Sequence, residues 1–393
     1  MADAATGLAS GRRGLELRGR VVTRAGVLED GVITVRGERV AAVRPATEWA
    51  TTHRELPPVY AGTVVPGLVD IHTHGGFGYR FDTEDATEAK EAAAFHHRRG
   101  STSVLASIVT AAPDTMVAQA AMLRRLAADG VIAGVHIEGP FLSRTRCGAH
   151  DLGYLTDPDP ELIDRLLHAT DGQLRVMTLA PERPGFDTAA KQLADSGVVV
   201  AVGHSDSSFA RFRAALSPQG CGTLVTHLAN GMPPLHHRAP GPVAAGLVAA
   251  AQRQAFVEVI GDGVHVDSGF GALVFATAPD RVVLVTDATQ AAGMPDGQYR
   301  LGPRPVTVTD GVARVPGGSL AGGTATLLHC LRWAVRDCGV PLYDAVAAVT
   351  STPADAAGLD DVGDLRPGMY ADAVVLDDQL GLRRVLRRGR WLA

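Results

Sequence analysis

Two histidines one residue apart, His72 and His74, close an otherwise apolar run, Val69-Asp70-Ile71-His72-Thr73-His74. Side chains at i and i+2 of a strand share a face, so both imidazoles can converge on one cation. Other apolar runs end at Glu138, His204, His227 and Asp287, giving four imidazoles and two carboxylates in all. Each has a plainer reading when taken alone: paired histidines hydrogen-bond in cores, and a strand-end acid caps the next helix. Gathered on one rim, the six would be desolvated polar groups without partners. A bound metal supplies that partner, so the joint pattern predicts a metal site.

The rim itself has to be built by the elements. Strand-like runs begin near Val69, Ser103, Ile132, Leu174, Val198, Thr223, Phe256 and Arg281, and helical stretches lie between those that can be read. Thr83 to Arg99 is one such helix, with acids early, His96 to Arg99 late and Gly100 as its stop. Eight strand–helix units with nearly continuous apolar strands predict a (β/α)8 barrel, in which reactive groups sit at the strand C-termini. An open doubly wound sheet is the rival, but no G-x-G-x-x-G or P-loop follows the first strand. At the ends the texture is all-β. Val32–Val35 and Val40–Val43 flank a turn, while Ala371–Leu376 and Leu382–Leu392 are strand-like. Neither end suffices for a sheet, so a small β-sandwich from residues 1–64 and 363–393 is expected beside a barrel over 65–362.

Composition narrows the partners. The 393 residues are 46% hydrophobic and 20% charged, which is a globular balance, and the net charge of −5 provides no footprint for nucleic acid or an anionic membrane. Four cysteines without a C-x-x-C pair point to neither a disulfide framework nor a cysteine zinc site. Arg12-Arg13 is followed by no apolar segment, and the longest apolar run, Val243 to Ala251, falls short of a bilayer. A cytoplasmic protein is expected.

The motifs also occur as an ordered set: Pro66-Gly67-Leu68-Val69-Asp70-Ile71-His72-Thr73-His74-Gly75, His136-Ile137-Glu138-Gly139-Pro140-Phe141-Leu142, Gly148-Ala149-His150, Gly203-His204-Ser205, Thr226-His227-Leu228-Ala229-Asn230-Gly231-Met232, Asp262-Gly263-Val264-His265 and Thr286-Asp287-Ala288. Taken together, this series resembles the N-acetylglucosamine-6-phosphate deacetylases of the amidohydrolase superfamily. The resemblance runs over essentially the whole chain. It implies a metal-dependent barrel with a small β-domain, a homodimer, and hydrolysis of the acetamide of a phosphorylated amino sugar.

Many superfamily members bridge two metals with a carboxylated lysine on the fourth strand. Here the fourth run, Leu174 to Ala180, has none, and the only lysines, Lys90 and Lys191, fall in helical stretches. By the resemblance Glu138, His204 and His227 hold the principal divalent metal, zinc, iron or manganese. His72 and His74 hold a second, with Glu138 bridging. Asp287 is then the general base and acid. The resemblance also assigns His150 and Ala149, within a lid over Gly139–Pro160, to substrate, together with Asn230, Gly231, His265 and Leu320. Arg238 stands at the family's phosphate-binding position, and Gly231 replaces the more frequent alanine. Cys147 is read as incidental, His136 as a support behind the ligands, and His96 and His97 as a favourably charged helix end. The alternatives are a deacylase of another N-acyl amino sugar, such as N-acetylgalactosamine 6-phosphate, or of an N-acyl amino acid, and a non-catalytic scaffold.

Overall fold

The computed structural model describes residues 14–53 and 58–393, so the Arg12-Arg13 pair lies outside the described residues. Eight parallel strands form the central sheet: Leu68–Thr73, Ser101–Val109, Gly134–Glu138, Leu174–Leu179, Val199–Val202, Gly222–Val225, Phe256–Ile260 and Val282–Val285. Each pairs with the next in chain order. The eighth returns to the first just beyond its end, where the Asp287 N–H donates to the His72 carbonyl at 2.9 Å and the His74 N–H to the Ala288 carbonyl at 2.7 Å. The expected barrel is therefore present, nearly closed. One apolar cluster, including Val69, Ile71, Leu105, Val176, Leu224 and Val283, fills the ring, and a larger one packs the strands against the helices. Burial on both faces explains why these runs scarcely alternate.

The expected small β-unit is drawn from both termini and is hydrogen-bonded as one seven-stranded, mostly antiparallel sheet. Tyr60–Pro66 is its seam, parallel to Leu15–Thr23 on one side and antiparallel to Ala373–Leu376 on the other. Leu17, Val21, Ile33, Val64 and Val375 form its apolar core. A further antiparallel sheet, Gly297–Leu301, Arg304–Thr309 and Val312–Arg314, was not foreseen. It inserts after the eighth barrel strand, with Val306 and Val308 buried and their neighbours exposed. No described helix is long and apolar enough to cross a membrane.

The helix after the first strand runs Ala86–Arg98, later than Thr83, because the Asp85 carboxylate accepts the Thr87 N–H at 2.8 Å and caps it there. Its last turn corrects one expectation. His96 and His97 are buried rather than set as charges in solvent. The His96 Nε2 lies 2.9 Å from the Gly75 carbonyl oxygen, and burial holds the group neutral, at about 4. A folded-state value below the ordinary 6.5 means stability that is complete above that pH and is lost as pH falls towards 4. The shift corresponds to roughly 3 kcal/mol. Denaturant titrations across this window are expected to show an acid-induced loss that is smaller by about this amount in His96→Gln.

Candidate active site

All six expected residues meet at the C-terminal ends of the strands, around Glu138. Its Oε1 lies 2.9 Å from His227 Nε2 and 3.0 Å from His204 Nε2. Its Oε2 lies 3.4 Å from His74 Nε2, 3.6 Å from His72 Nε2 and 3.3 Å from His150 Nε2. Asp287 Oδ1 is 3.1 Å from His74 Nε2 and 3.6 Å from His72 Nε2. Two trios thus offer donor atoms mutually within 4.8 Å: Glu138, His204 and His227, and His72, His74 and Asp287. Glu138 presents one oxygen to each group of histidines.

The backbone turns sharply to aim these side chains. His204, His227 and Asp287 carry left-handed φ values of 46°, 24° and 47°. Such conformations cost on the order of 1–3 kcal/mol per non-glycine residue and persist where the surroundings over-determine them. Gly231, also left-handed at φ 60°, packs so closely that a Cβ there would come within 2.8 Å of His204 Nδ1. The glycine at this position therefore lets the loop pack closely on the histidine ring.

Charge at the centre is arranged for a cation. Burial opposes protonation of His72 and His74, yet the carboxylates around them outweigh it. His72 is held well above its ordinary value, with Glu258 the largest of these charges, and His74 is raised to about 9. Burial likewise opposes ionisation of Asp287, but His72 and His74 keep it well below the usual carboxylate range. Mixed, buried imidazole and carboxylate donors in a site that stabilises positive charge fit a divalent metal.

Two supporting acids escaped the sequence reading. Glu258, 1% exposed on the seventh strand, lies with Oε2 3.0 Å from His72 Nδ1 and accepts the His227 backbone N–H at 3.1 Å. One oxygen thereby fixes a residue of each trio and leaves His72 Nε2 to face the centre. Asp70 accepts the Thr286 hydroxyl at 2.6 Å and is pushed by burial up to about 7, bracing the segment that carries Asp287. Both were detectable as acids inside apolar runs, Val69-Asp70-Ile71 and Val257-Glu258-Val259. His136 stands between Ser107 Oγ at 2.9 Å and Thr178 Oγ1 at 3.0 Å, its ring 4.5 Å from that of His72, so it sits behind the cluster as expected.

A cleft of about 380 Å³ opens above the cluster, lined by Ala149, His150, Asn230, Gly231, His265 and Leu320 as well as ligand candidates. His150 comes from the expected Gly139–Pro160 segment, its Nδ1 2.9 Å from Thr110 Oγ1. His265 Nδ1 lies 2.7 Å from Asp262 Oδ2, and that carboxylate raises the imidazole against the effect of burial. Leu320 arrives from the loop that follows the inserted sheet. Cys147 does not line the cleft. Arg238 stands apart as well. It lies on an exposed loop, its Nη1 2.7 Å from His237 Nε2, and this chain does not bring it into the cleft.

The Amidohydrolase family model matches residues 63–392. The N-acetylgalactosamine-6-phosphate deacetylase of Escherichia coli O157:H7 is 34% identical over 377 residues, 94% of this chain and 97% of that protein. The N-acetylglucosamine-6-phosphate deacetylase of Vibrio furnissii is 33% identical, covering 92% and 90%. Among solved structures, a mutant N-acetyl-D-glucosamine-6-phosphate deacetylase of Mycobacterium smegmatis in complex with N-acetyl-D-glucosamine-6-phosphate superposes with a TM-score of 0.91 at 40% identity, over 96% of this chain and 99% of that one. This chain belongs to the amidohydrolase family, in its N-acetylglucosamine-6-phosphate deacetylase branch.

Proposed function

We propose that this protein hydrolyses N-acetylglucosamine 6-phosphate to glucosamine 6-phosphate and acetate, in amino-sugar catabolism and cell-wall recycling. The observation that carries the proposal is the placement of Asp287 against the histidine and glutamate cluster at the floor of a cleft large enough for a sugar phosphate. In this reading Glu138, His204 and His227 would hold one divalent metal, and His72 and His74, beside Glu138, would hold a second. Zinc, iron and manganese all suit these donors. A bound divalent ion supplies Lewis acidity that makes water a competent nucleophile near neutral pH.

The chain's own residues perform the proton traffic. Asp287, kept ionised by the neighbouring imidazoles, accepts the proton of the attacking water. It then delivers that proton to the amine nitrogen as the C–N bond breaks. His150 is assigned to the acetamide end of the substrate, beside Glu138. Asn230, Gly231 and His265 are assigned to the sugar phosphate, with Ala149 and Leu320 as walls. A cytoplasmic homodimer, with a barrel over 65–362 and a β-domain from 1–64 and 363–393, completes the proposal. A second substrate, N-acetylgalactosamine 6-phosphate, is favoured by one observation: the Escherichia coli O157:H7 relative bears that activity in its name and matches over nearly its whole length.

Acetate release measured on both epimers is expected to favour the gluco sugar phosphate and to stop when a chelator strips the metal. Turnover that survives chelation removes the metal from the reaction, and faster turnover of the galacto epimer reassigns the substrate. Two variants separate chemistry from metal holding. Asp287→Asn is expected to retain metal and to lose at least about a hundredfold in kcat. Glu258→Gln is expected to weaken metal binding about 10–100-fold, read by metal analysis after dialysis. Near-normal turnover in the first, or undiminished metal content in the second, contradicts the role assigned.

A further inference from the structure

At the opposite end of the barrel from the metal cluster, where strands begin rather than finish, a cavity of about 340 Å³ separates the barrel from the small sheet. The starts of the second and fourth strands contribute to it, and so do residues at the end of the strand Leu382–Arg387. Three guanidinium groups border it: Arg175, Arg387 and Arg388. Arg387 is locked in place, its Nε donating to the Thr102 carbonyl at 2.9 Å and its Nη2 to the Gly130 carbonyl at 2.7 Å. Burial depresses its basicity although the Asp372 carboxylate acts to raise it, since its hydrogen bonds are to backbone carbonyls. The Arg388 guanidinium lies 4.5 Å over the Tyr370 ring and rests on Gly130, where a Cβ would come within 2.5 Å of its terminal nitrogens. The Arg175 Nε is buried without a hydrogen-bond partner among the described residues.

The acids around this cavity do not balance the arginines. Asp361 is paired with Arg39 at 2.9 Å, outside the trio. Asp372 is buried and accepts the backbone N–H, not the guanidinium, of Arg388. Asp360 is exposed at the rim. Among the lining residues three guanidinia therefore face two carboxylates that are not otherwise paired: Asp372, whose charge acts on Arg387 and Arg388, and Asp360 at the rim, while Glu38 acts on Arg387 from outside the lining. Half-burying three cations among fewer anions of the lining is costly, and a planar guanidinium fork matches phosphate geometry bidentately.

We propose that this cavity is a second binding site, separate from the active site, for a small phosphate-bearing molecule held by Arg175, Arg387 and Arg388. The proposal stands on the geometry at the base of the barrel and does not depend on the reaction assigned to the other end. Equilibrium dialysis of the whole protein with radiolabelled inorganic phosphate tests it. The phosphate bound per chain is expected to fall by one equivalent in the double variant Arg175→Met, Arg388→Met, with KM for the sugar phosphate unchanged. Where the double variant melts at lower temperature without phosphate, Arg175→Gln alone, which keeps Arg388 stacked on Tyr370, is expected to weaken that equivalent about tenfold, the worth of one charge-assisted hydrogen bond. Equal phosphate binding in wild type and variants overturns the site. Acetate competing as strongly as phosphate for this equivalent overturns the phosphate assignment.

Discussion

A single buried carboxylate organises the reactive end of this molecule. Glu138 faces five imidazoles, none further than 3.6 Å, at the end of a strand that is fully enclosed. A lone carboxylate in such a place would be driven to its neutral form; here the imidazoles hold it well below its ordinary range against the effect of burial. The histidines depend on it in turn. Each strand that contributes a ligand candidate must end at the same height, and barrel closure sets that height. The hydrogen bonds joining Asp287 to His72 and His74 to Ala288 are thus as much a part of the site as the side chains.

Around that centre the protein places rigid, mutually constraining supports. Glu258 ties His72 to the backbone of His227, and Asp70 ties the first strand to Thr286, one residue before Asp287. Left-handed backbones at His204, His227 and Asp287 are tolerated because these braces leave the chain no other course. The inserted three-stranded sheet covers the same end, and Leu301 from its first strand lines the cleft. The cleft walls are therefore built on the loops and insertion, while the cluster of imidazoles and carboxylates is built at the strand ends.

Much of this was legible before any coordinates. The eight strand starts, the rim positions of His72, His74, Glu138, His204, His227 and Asp287, and the two-ended β-unit all follow from apolar runs and from the residue types that close them. What stayed hidden has physical reasons. Glu258 and Asp70 stand out as acids inside apolar strands, but the runs alone do not say that the partners are His72, His227 and Thr286. His96 and His97 look like a charged helix end because sequence carries no sign that the barrel covers that turn. The inserted sheet has a clear alternation at Val306 and Val308, but it follows the eighth barrel strand and belongs to no strand–helix repeat. Arg238 was placed by resemblance alone, and a loop's outward path is not written in its composition.

The seam strand Tyr60–Pro66 has a consequence for the order in which the chain is made. Its partner on one side, Leu15–Thr23, leaves the ribosome before it, but its partner on the other, Ala373–Leu376, follows only after every strand of the barrel. Throughout translation of the barrel this strand keeps an unpaired edge, with Val64 and Val65 aligned for a neighbour that does not yet exist. Contacts spanning roughly 300 residues are slow to form and give the nascent chain time to pair wrongly. The small sheet is accordingly a latch that closes only after the barrel strands have been made, and it seals the base of that barrel.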